Sequence, residues 1–134
     1  MSIIKISVIT ITYNAENVIM RTLDSVLKQT FSNIEHIIID GASKDSTLLA
    51  EREYESRSCS TNNGHEIKII SEPDKGLYDA MNKGIGKATG NYLVFLNAGD
   101  VFPSSSTLET VTDMIGDGEE LPGVLFGDTN IVDD

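Results

Sequence analysis

Tyr92-Leu93-Val94-Phe95-Leu96-Asn97-Ala98-Gly99-Asp100 is an apolar run that ends in a turn and an acidic residue. In an open α/β sheet, a carboxylate just past the end of a buried strand stands where ligands bind. Three other apolar runs leave in the same way. Ile6 to Ile11 exits into Thr12-Tyr13-Asn14, Ile34 to Ile39 into Asp40-Gly41, and Ile67 to Ile70 through Ser71-Glu72 into Pro73-Asp74. Four polar exits from four apolar runs indicate one site rather than four unrelated turns.

Between these runs lie segments of helical period. Strand 1 is expected at residues 4–13, followed by a helix whose Val18, Ile19, Leu23, Val26 and Leu27 share one face and which ends near Lys28. Strand 2 is expected at 35–40, with its helix starting at or just after Asp45-Ser46, either of which suits an N-cap. Residues 56–64 read as a loop. Strand 3 at 67–72, a helix at 77–87, a turn at 88–91 and strand 4 follow, then a loop at 100–106, a short helix at 107–115 and a fifth strand at 124–126. Strand and helix alternating through short connections imply a mostly parallel central sheet with helices on both faces, a Rossmann-like α/β fold. Ile37-Ile38-Ile39, apolar without alternation, fits a strand buried on both faces. Right-handed crossovers then gather the strand exits on one edge of the sheet. No repeat or linker divides the 134 residues, which make one domain's worth of chain. Residues 127–134 begin what reads as further structure, so the expectation is a truncated piece of a longer protein.

Composition narrows the chemistry. Ten Lys and Arg against 21 Asp and Glu give a net charge of −11, which argues against nonspecific nucleic-acid binding. Such a chain needs backbone N–H groups or a divalent cation to hold a phosphorylated ligand. Cys59 is the single cysteine, so no intrachain disulfide forms, and a reducing compartment fits best. The N-terminal apolar run is too short and interrupted for a signal peptide or a membrane span, so the expected location is cytoplasmic. His36 and His65 lack partners at zinc spacing, and no serine triad or G-x-x-x-x-G-K-S/T loop is present.

The segments Val8 to Asn14, Ile38 to Thr47, Glu72 to Gly84 and Phe95 to Asp100 together resemble family 2 glycosyltransferases of the GT-A fold, in order and in spacing, over about the first hundred residues. The resemblance implies an enzyme that moves a sugar from a nucleotide diphosphate donor to an acceptor with inversion at the anomeric carbon. The acceptor implied is a polysaccharide or lipid-linked glycan, and the place of work is the cytoplasm, including the inner face of the membrane through a missing part or a partner. UDP-sugars are the commonest donors of the family, while guanosine and thymidine donors use the same scaffold. Tyr13 offers an aromatic face for a base, with Thr12 and Asn14 beside it, and Glu16 is placed for a ribose hydroxyl. Asp40 is expected to accept a base N–H. Asp74, Lys75, Asp79 and Asn82 are expected donor contacts at the start of the third helix, where free N–H groups favour negative charge. Asn97, Ala98 and Gly99 complete the pocket, and Asp100 matches the last carboxylate of the family's D-x-D-type motif, which reaches Mg or Mn. Asn97 and Gly99 stand where carboxylates are common, so metal binding in this segment rests on Asp100 alone.

Each motif also has a plain reading. Tyr13-Asn14 and Asp40-Gly41 suit turns, Asp74 suits a helix cap, and Lys83 and Lys87 suit a solvated face. A noncatalytic nucleotide-sugar-binding module and a nucleotidyltransferase are the competing functions, the latter disfavoured by the absence of a phosphate loop rich in glycine and basic residues after strand 1. No general base is assigned. Asp128, Asp133 and Asp134 are acidic but come too early in the chain for that role. A sheet surface exposed by truncation is expected to allow self-association.

Overall fold

The structure is a computed structural model and describes residues 4–115 and 123–126. Its elements are β1 (Ile6–Thr12), α1 (Ile19–Leu27), β2 (Ile34–Asp40), α2 (Thr47–Thr61), β3 (Glu66–Ser71), α3 (Leu77–Lys87), β4 (Tyr92–Phe95), α4 (Thr107–Ile115) and β5 (Gly123–Phe126). The sheet order is β3-β2-β1-β4-β5, and every pairing is parallel. The order reverses between β1 and β4, which opens a crevice beyond the carboxyl ends of the strands. Asp128, Asp133 and Asp134 lie outside the described residues. Among the described residues no helix is long and apolar enough to cross a membrane.

Alternation along the strands sorts the core into two faces. On one, Val26 of α1 and Leu108 of α4 pack with Ile6, Val8, Ile34, Val94 and Leu96, while Ile19, Leu23 and Tyr54 pack with Ile38. On the other, Ala80 of α3 packs with Ile9, Ile37, Ile39 and Phe95.

One boundary differs from the sequence reading: α2 runs through residues 56–61, expected to be loop, and ends at Asn62 in the left-handed conformation. The buried side of this helix is Glu51, Tyr54 and Ser58, so its inner stripe is largely polar and carries little apolar periodicity. That stripe meets a polar seam in the sheet. His36 lies 2.8 Å through Nε2 from Thr10 Oγ1 and 2.7 Å through Nδ1 from Tyr54 Oη, all three being buried. At the opposite, amino edge of the sheet, buried Glu35 accepts bonds from Thr89 N and Oγ1 and from Ser7 Oγ, which pins the turn into β4.

The α3 helix lies close on β1 because Gly84 has no side chain. A Cβ there would stand 2.5 Å from Ile9 Cγ2. Gly84→Ala is expected to destabilise the fold by about 1–3 kcal/mol, seen as a lower denaturant midpoint at unchanged slope. Gly86→Ala, with nothing within 4 Å, is the control and should not lower the midpoint.

Burial lowers the His36 pKa to about 3, with nearby His65 adding to the shift, from an ordinary 6.5. The unfolded chain therefore takes up this proton first as the pH falls. The stability tied to neutral His36 is whole above about pH 6.5 and is lost as the pH falls toward 3. Ring NMR of the folded protein should show His36 still neutral at about pH 5, and titration near 6.5 would contradict the buried seam.

Candidate functional site

Parallel register puts Thr12, Asp40 and Ser71 side by side at the carboxyl ends of β1, β2 and β3. Their side chains point to the α2 face, one residue out of phase with Ile11, Ile39 and Gly41. Asp40 is fully buried there. Its Oδ1 accepts from Thr12 Oγ1 at 2.8 Å and Ser43 Oγ at 2.6 Å, and its Oδ2 from Ser43 N at 2.8 Å and Ser71 Oγ at 2.9 Å. Burial alone would raise its pKa, but the bonds from Ser43, Thr12 and Ser71 outweigh it and hold the carboxyl below its usual range. The expectation that Asp40 accepts a base N–H is therefore corrected: strand alternation turns the carboxylate inward, where it organises the loop after β2.

The loops after β1 and β2 are then laced together. Asn14 N donates to Ser43 Oγ, and Lys44 N donates to Asn14 Oδ1, both at 2.8 Å. Ser46 N donates to Glu16 Oε1 at 2.9 Å, and Ala15 N to Thr47 Oγ1 at 2.7 Å. Asn14 and Glu16, expected to touch the donor, use these side-chain oxygens to hold the loops. The N-cap of α2 is Ser46, whose side chain makes no capping bond; Asp45, one residue before it, accepts from Thr47 N through Oδ1 at 2.9 Å and satisfies the first N–H of the helix.

A cavity of about 620 Å³ opens above β1 and β2 on the α3 side, within the roughly 300–1,000 Å³ of small-molecule sites. Thr12, Tyr13 and Asp74 are brought together in its wall with Ile11, Gly41, Ala42, Lys44, Pro73, Gly76, Leu77 and Ala80. Tyr13 is 59% exposed, leaving its ring open to a ligand. A Cβ at Gly41 would stand 3.0 Å from Asp74 Oδ2 and 3.4 Å from Tyr13 Cδ1, so carboxylate and ring converge on the space the glycine leaves.

Lys83 fixes Asp74. Its Nζ lies 2.6 Å from Asp74 Oδ1, 2.9 Å from Glu72 Oε2 and 3.0 Å from Pro73 O, and the two carboxylates raise its pKa, Asp74 contributing most. Oδ1 of Asp74 is thus engaged, and Oδ2 has no hydrogen-bond donor among the described residues. Asp79 does not reach the cavity: its Oδ2 accepts from Lys75 N at 2.9 Å and closes the first turn of α3, a bond that lowers its pKa. Asn82 likewise lies outside the cavity wall and lines a groove beside Ile39 and Ile70 with Lys83 and Lys87. Lys75 is exposed and outside the cavity wall.

Beyond β4, the turn 97–100 is clamped to α1. Gly99 N donates to Thr22 Oγ1 at 2.7 Å, Arg21 Nε donates to Gly99 O at 3.1 Å, and Asp100 N closes on Asn97 O at 2.9 Å. Ala98 packs with the Ile19–Leu23 cluster, and Asn97 is exposed. None of these residues lines the cavity, whereas the partly buried Asp100 sits on the neighbouring exit across the crevice. Among the described residues no group of three or more His, Cys, Asp or Glu could hold a metal ion.

Sequence reasoning missed Gly41, Lys44, Lys83 and Arg21. Only Lys83 left a signal, its spacing of four from Asp79 on a helix.

A model of glycosyl transferase family 2 matches residues 7–127, and the chain belongs to that family. A PGL/p-HBAD biosynthesis glycosyltransferase of Mycobacterium bovis is 36% identical over 122 residues, 91% of this chain and 45% of the relative. The chain thus spans less than half the length of that protein. Glycosyltransferase GlyA of Streptococcus pneumoniae is 33% identical over 96 residues, 72% of this chain and 13% of the relative. Among solved structures, S. aureus TarS 1-349 in complex with UDP-GlcNAc aligns with a TM-score of 0.70 at 27% identity, over 84% of this chain and 31% of that one. The mannosyltransferase PcManGT of Pyrobaculum calidifontis, in complex with GDP-Man and Mn2+, aligns with a TM-score of 0.72 at 27% identity, over 85% and 33%. The fold is accordingly the Rossmann-like GT-A arrangement.

If the niche beside Gly41 receives part of a ligand, filling it should block binding without unfolding the protein. Gly41→Ala is expected to weaken nucleotide binding at least about tenfold, the scale set by a misplaced group at a close contact, with an unchanged melting curve. Unaltered binding would place the ligand elsewhere.

Proposed function

We propose that this chain supplies the donor-binding part of an inverting glycosyltransferase that takes a sugar from a nucleotide diphosphate and gives it to a glycan or lipid-linked acceptor. The acceptor hydroxyl oxygen bonds to the anomeric carbon as the bond from that carbon to the diphosphate breaks. The nucleoside diphosphate leaves with the electron pair, and the acceptor proton passes to a general base. Family membership and the nucleotide-sugar complexes of TarS and PcManGT support the donor class. Work in the cytoplasm, beside the membrane when the acceptor is lipid-linked, belongs to the same reading.

The observation that carries it is the meeting of the Tyr13 ring and Asp74 Oδ2 over Gly41. With Oδ1 held by Lys83, Asp74 offers one acceptor oxygen. A single N–H flanked by carbonyls, as in uracil, matches one oxygen, whereas the paired donors of guanine call for two. Asp74 takes the role expected of Asp40, and the donor is a sugar carried on a uridine or thymidine diphosphate.

As the single carboxylate of the segment 97–100, Asp100 suits a divalent ion that draws its other ligands from phosphate and water. Mg or Mn held there would neutralise the leaving diphosphate, and the Mn2+ complex of PcManGT supports the use of a divalent metal. Arg21 and Thr22 keep the turn in place for it.

Calorimetric titration with uridine, guanosine and thymidine diphosphates, with and without manganese, tests the reading. Uridine diphosphate should bind in preference to guanosine diphosphate, Asp74→Asn should weaken it about 10-fold or more, and Asp100→Ala should remove the metal dependence. Preference for guanosine diphosphate, or indifference to Asp74→Asn, would overturn the assignment of the base.

A further inference from the structure

Glu51 sits beneath the cavity and has no part in the reading above. It is fully buried on α2, its Oε2 is 2.8 Å from Thr12 Oγ1, and its Oε1 has no hydrogen-bond partner. The same Thr12 hydroxyl is 2.8 Å from Asp40 Oδ1. A hydroxyl carries one proton and cannot donate to two ionised carboxylates at once. One of the two acids must therefore bring a proton to this row of oxygens. Asp40 has three further donors, Ser43 N, Ser43 Oγ and Ser71 Oγ, which favour its charged form. Glu51 has Thr12 alone. The proton thus belongs on Glu51 Oε2, which donates to Thr12 Oγ1 and leaves the Thr12 hydrogen aimed at Asp40.

We propose that Glu51 is a positioning residue for donor binding: as a neutral acid it directs the Thr12 hydroxyl to Asp40 and so sets the loop 41–46 that walls the cavity. The proposal rests on the donor-site reading. When Glu51 ionises, its carboxylate captures the Thr12 hydrogen, and Asp40 loses one of its donors to a repelling neighbour. The disturbance passes to Ser43 through two bonds, to Asn14 N through Ser43 Oγ, and to Lys44 N through Asn14 Oδ1. Gly41, Ala42 and Lys44 of that loop line the cavity.

The surroundings agree with a neutral acid. Burial pushes the Glu51 pKa up to about 7, the Thr12 bond and Arg52 opposing, the charges of Asp40 on β2 and Asp45 in the following loop assisting. From β3 this layer receives the apolar Ile67 and Ile69. On α1 the carboxylate of Asp24 is paired with Arg57, farther along α2. Because the folded value lies above the ordinary 4.5, the folded protein holds this proton longer than the unfolded chain. The associated stability is whole below about 4.5 and is lost as the pH rises through about 7.

Glu51→Gln keeps a donor toward Thr12 at every pH and is the decisive variant. Uridine diphosphate affinity of the wild type should fall about fivefold, the scale of one hydrogen bond, between about pH 6 and about pH 8.5, relative to Glu51→Gln. The nucleotide's own phosphate titration is common to both proteins and cancels. In the ligand-free wild type, the amide NMR signals of Ser43 and Lys44 should shift with the midpoint of the Glu51 carboxyl and stay still in the variant. Parallel pH profiles for the two proteins, or Glu51 titrating in the ordinary carboxylate range, would overturn the proposal. Absence of nucleotide binding by both proteins at all pH values would instead sink the donor-site reading, and the ligand-free amide titration still decides the role of Glu51.

Discussion

The carboxylate of Asp40 is the constraint on which the carboxyl edge depends. It stands in the middle of three strand ends and gathers Thr12 from β1, Ser71 from β3 and Ser43 from the loop that follows its own strand. A buried charge is costly unless its lone pairs are met, and here four donors meet them. The loop after β2 has little freedom once Ser43 is held by both N and Oγ. Through Asn14 and Glu16 that restraint passes to the loop after β1, and the Tyr13 ring is left as the exposed side chain between two fixed walls.

The same interaction explains the unusual interior of the α2 layer. A polar row along the sheet, Thr10, His36, Thr12 and Asp40, needs polar partners, and α2 supplies Tyr54 to His36 and Glu51 to Thr12. Hydrogen-bonded seams of this kind fix register more narrowly than apolar packing does. The opposite face, where α3 meets Ile9, Ile37 and Ile39, is apolar and close, and there a missing side chain at Gly84 sets the separation. One face of the sheet is thus fixed by hydrogen bonds, the other by contact distance. The cavity opens where the two meet, at the ends of β1 and β2.

Two of the strongest chemical groups in the chain act indirectly as a result. Asp40 and Glu51 do not touch the cavity, yet the position of its walls follows from their protonation. Asp74 does touch it, because Lys83 turns one of its oxygens away and leaves the other toward Gly41.

The sequence by itself determined the architecture, the edge that carries the site and the family. Apolar runs ending in polar turns are local signals, and the helices 77–87 and 107–115 coincide with their predicted spans because each carries its own periodicity and stop. The end of α2 was not legible, since its inner stripe of Glu51, Tyr54 and Ser58 is polar and makes sense only against His36 and Thr12. Which carboxylate meets a ligand was decided by tertiary structure alone. Asp40 and Asp74 both follow apolar runs in the sequence, but strand alternation and register send the first to the α2 face, and a lysine nine residues on holds the second at the cavity. Position at a strand end is written in one segment of chain, whereas the direction and free lone pairs of a side chain depend on neighbours brought in by other segments.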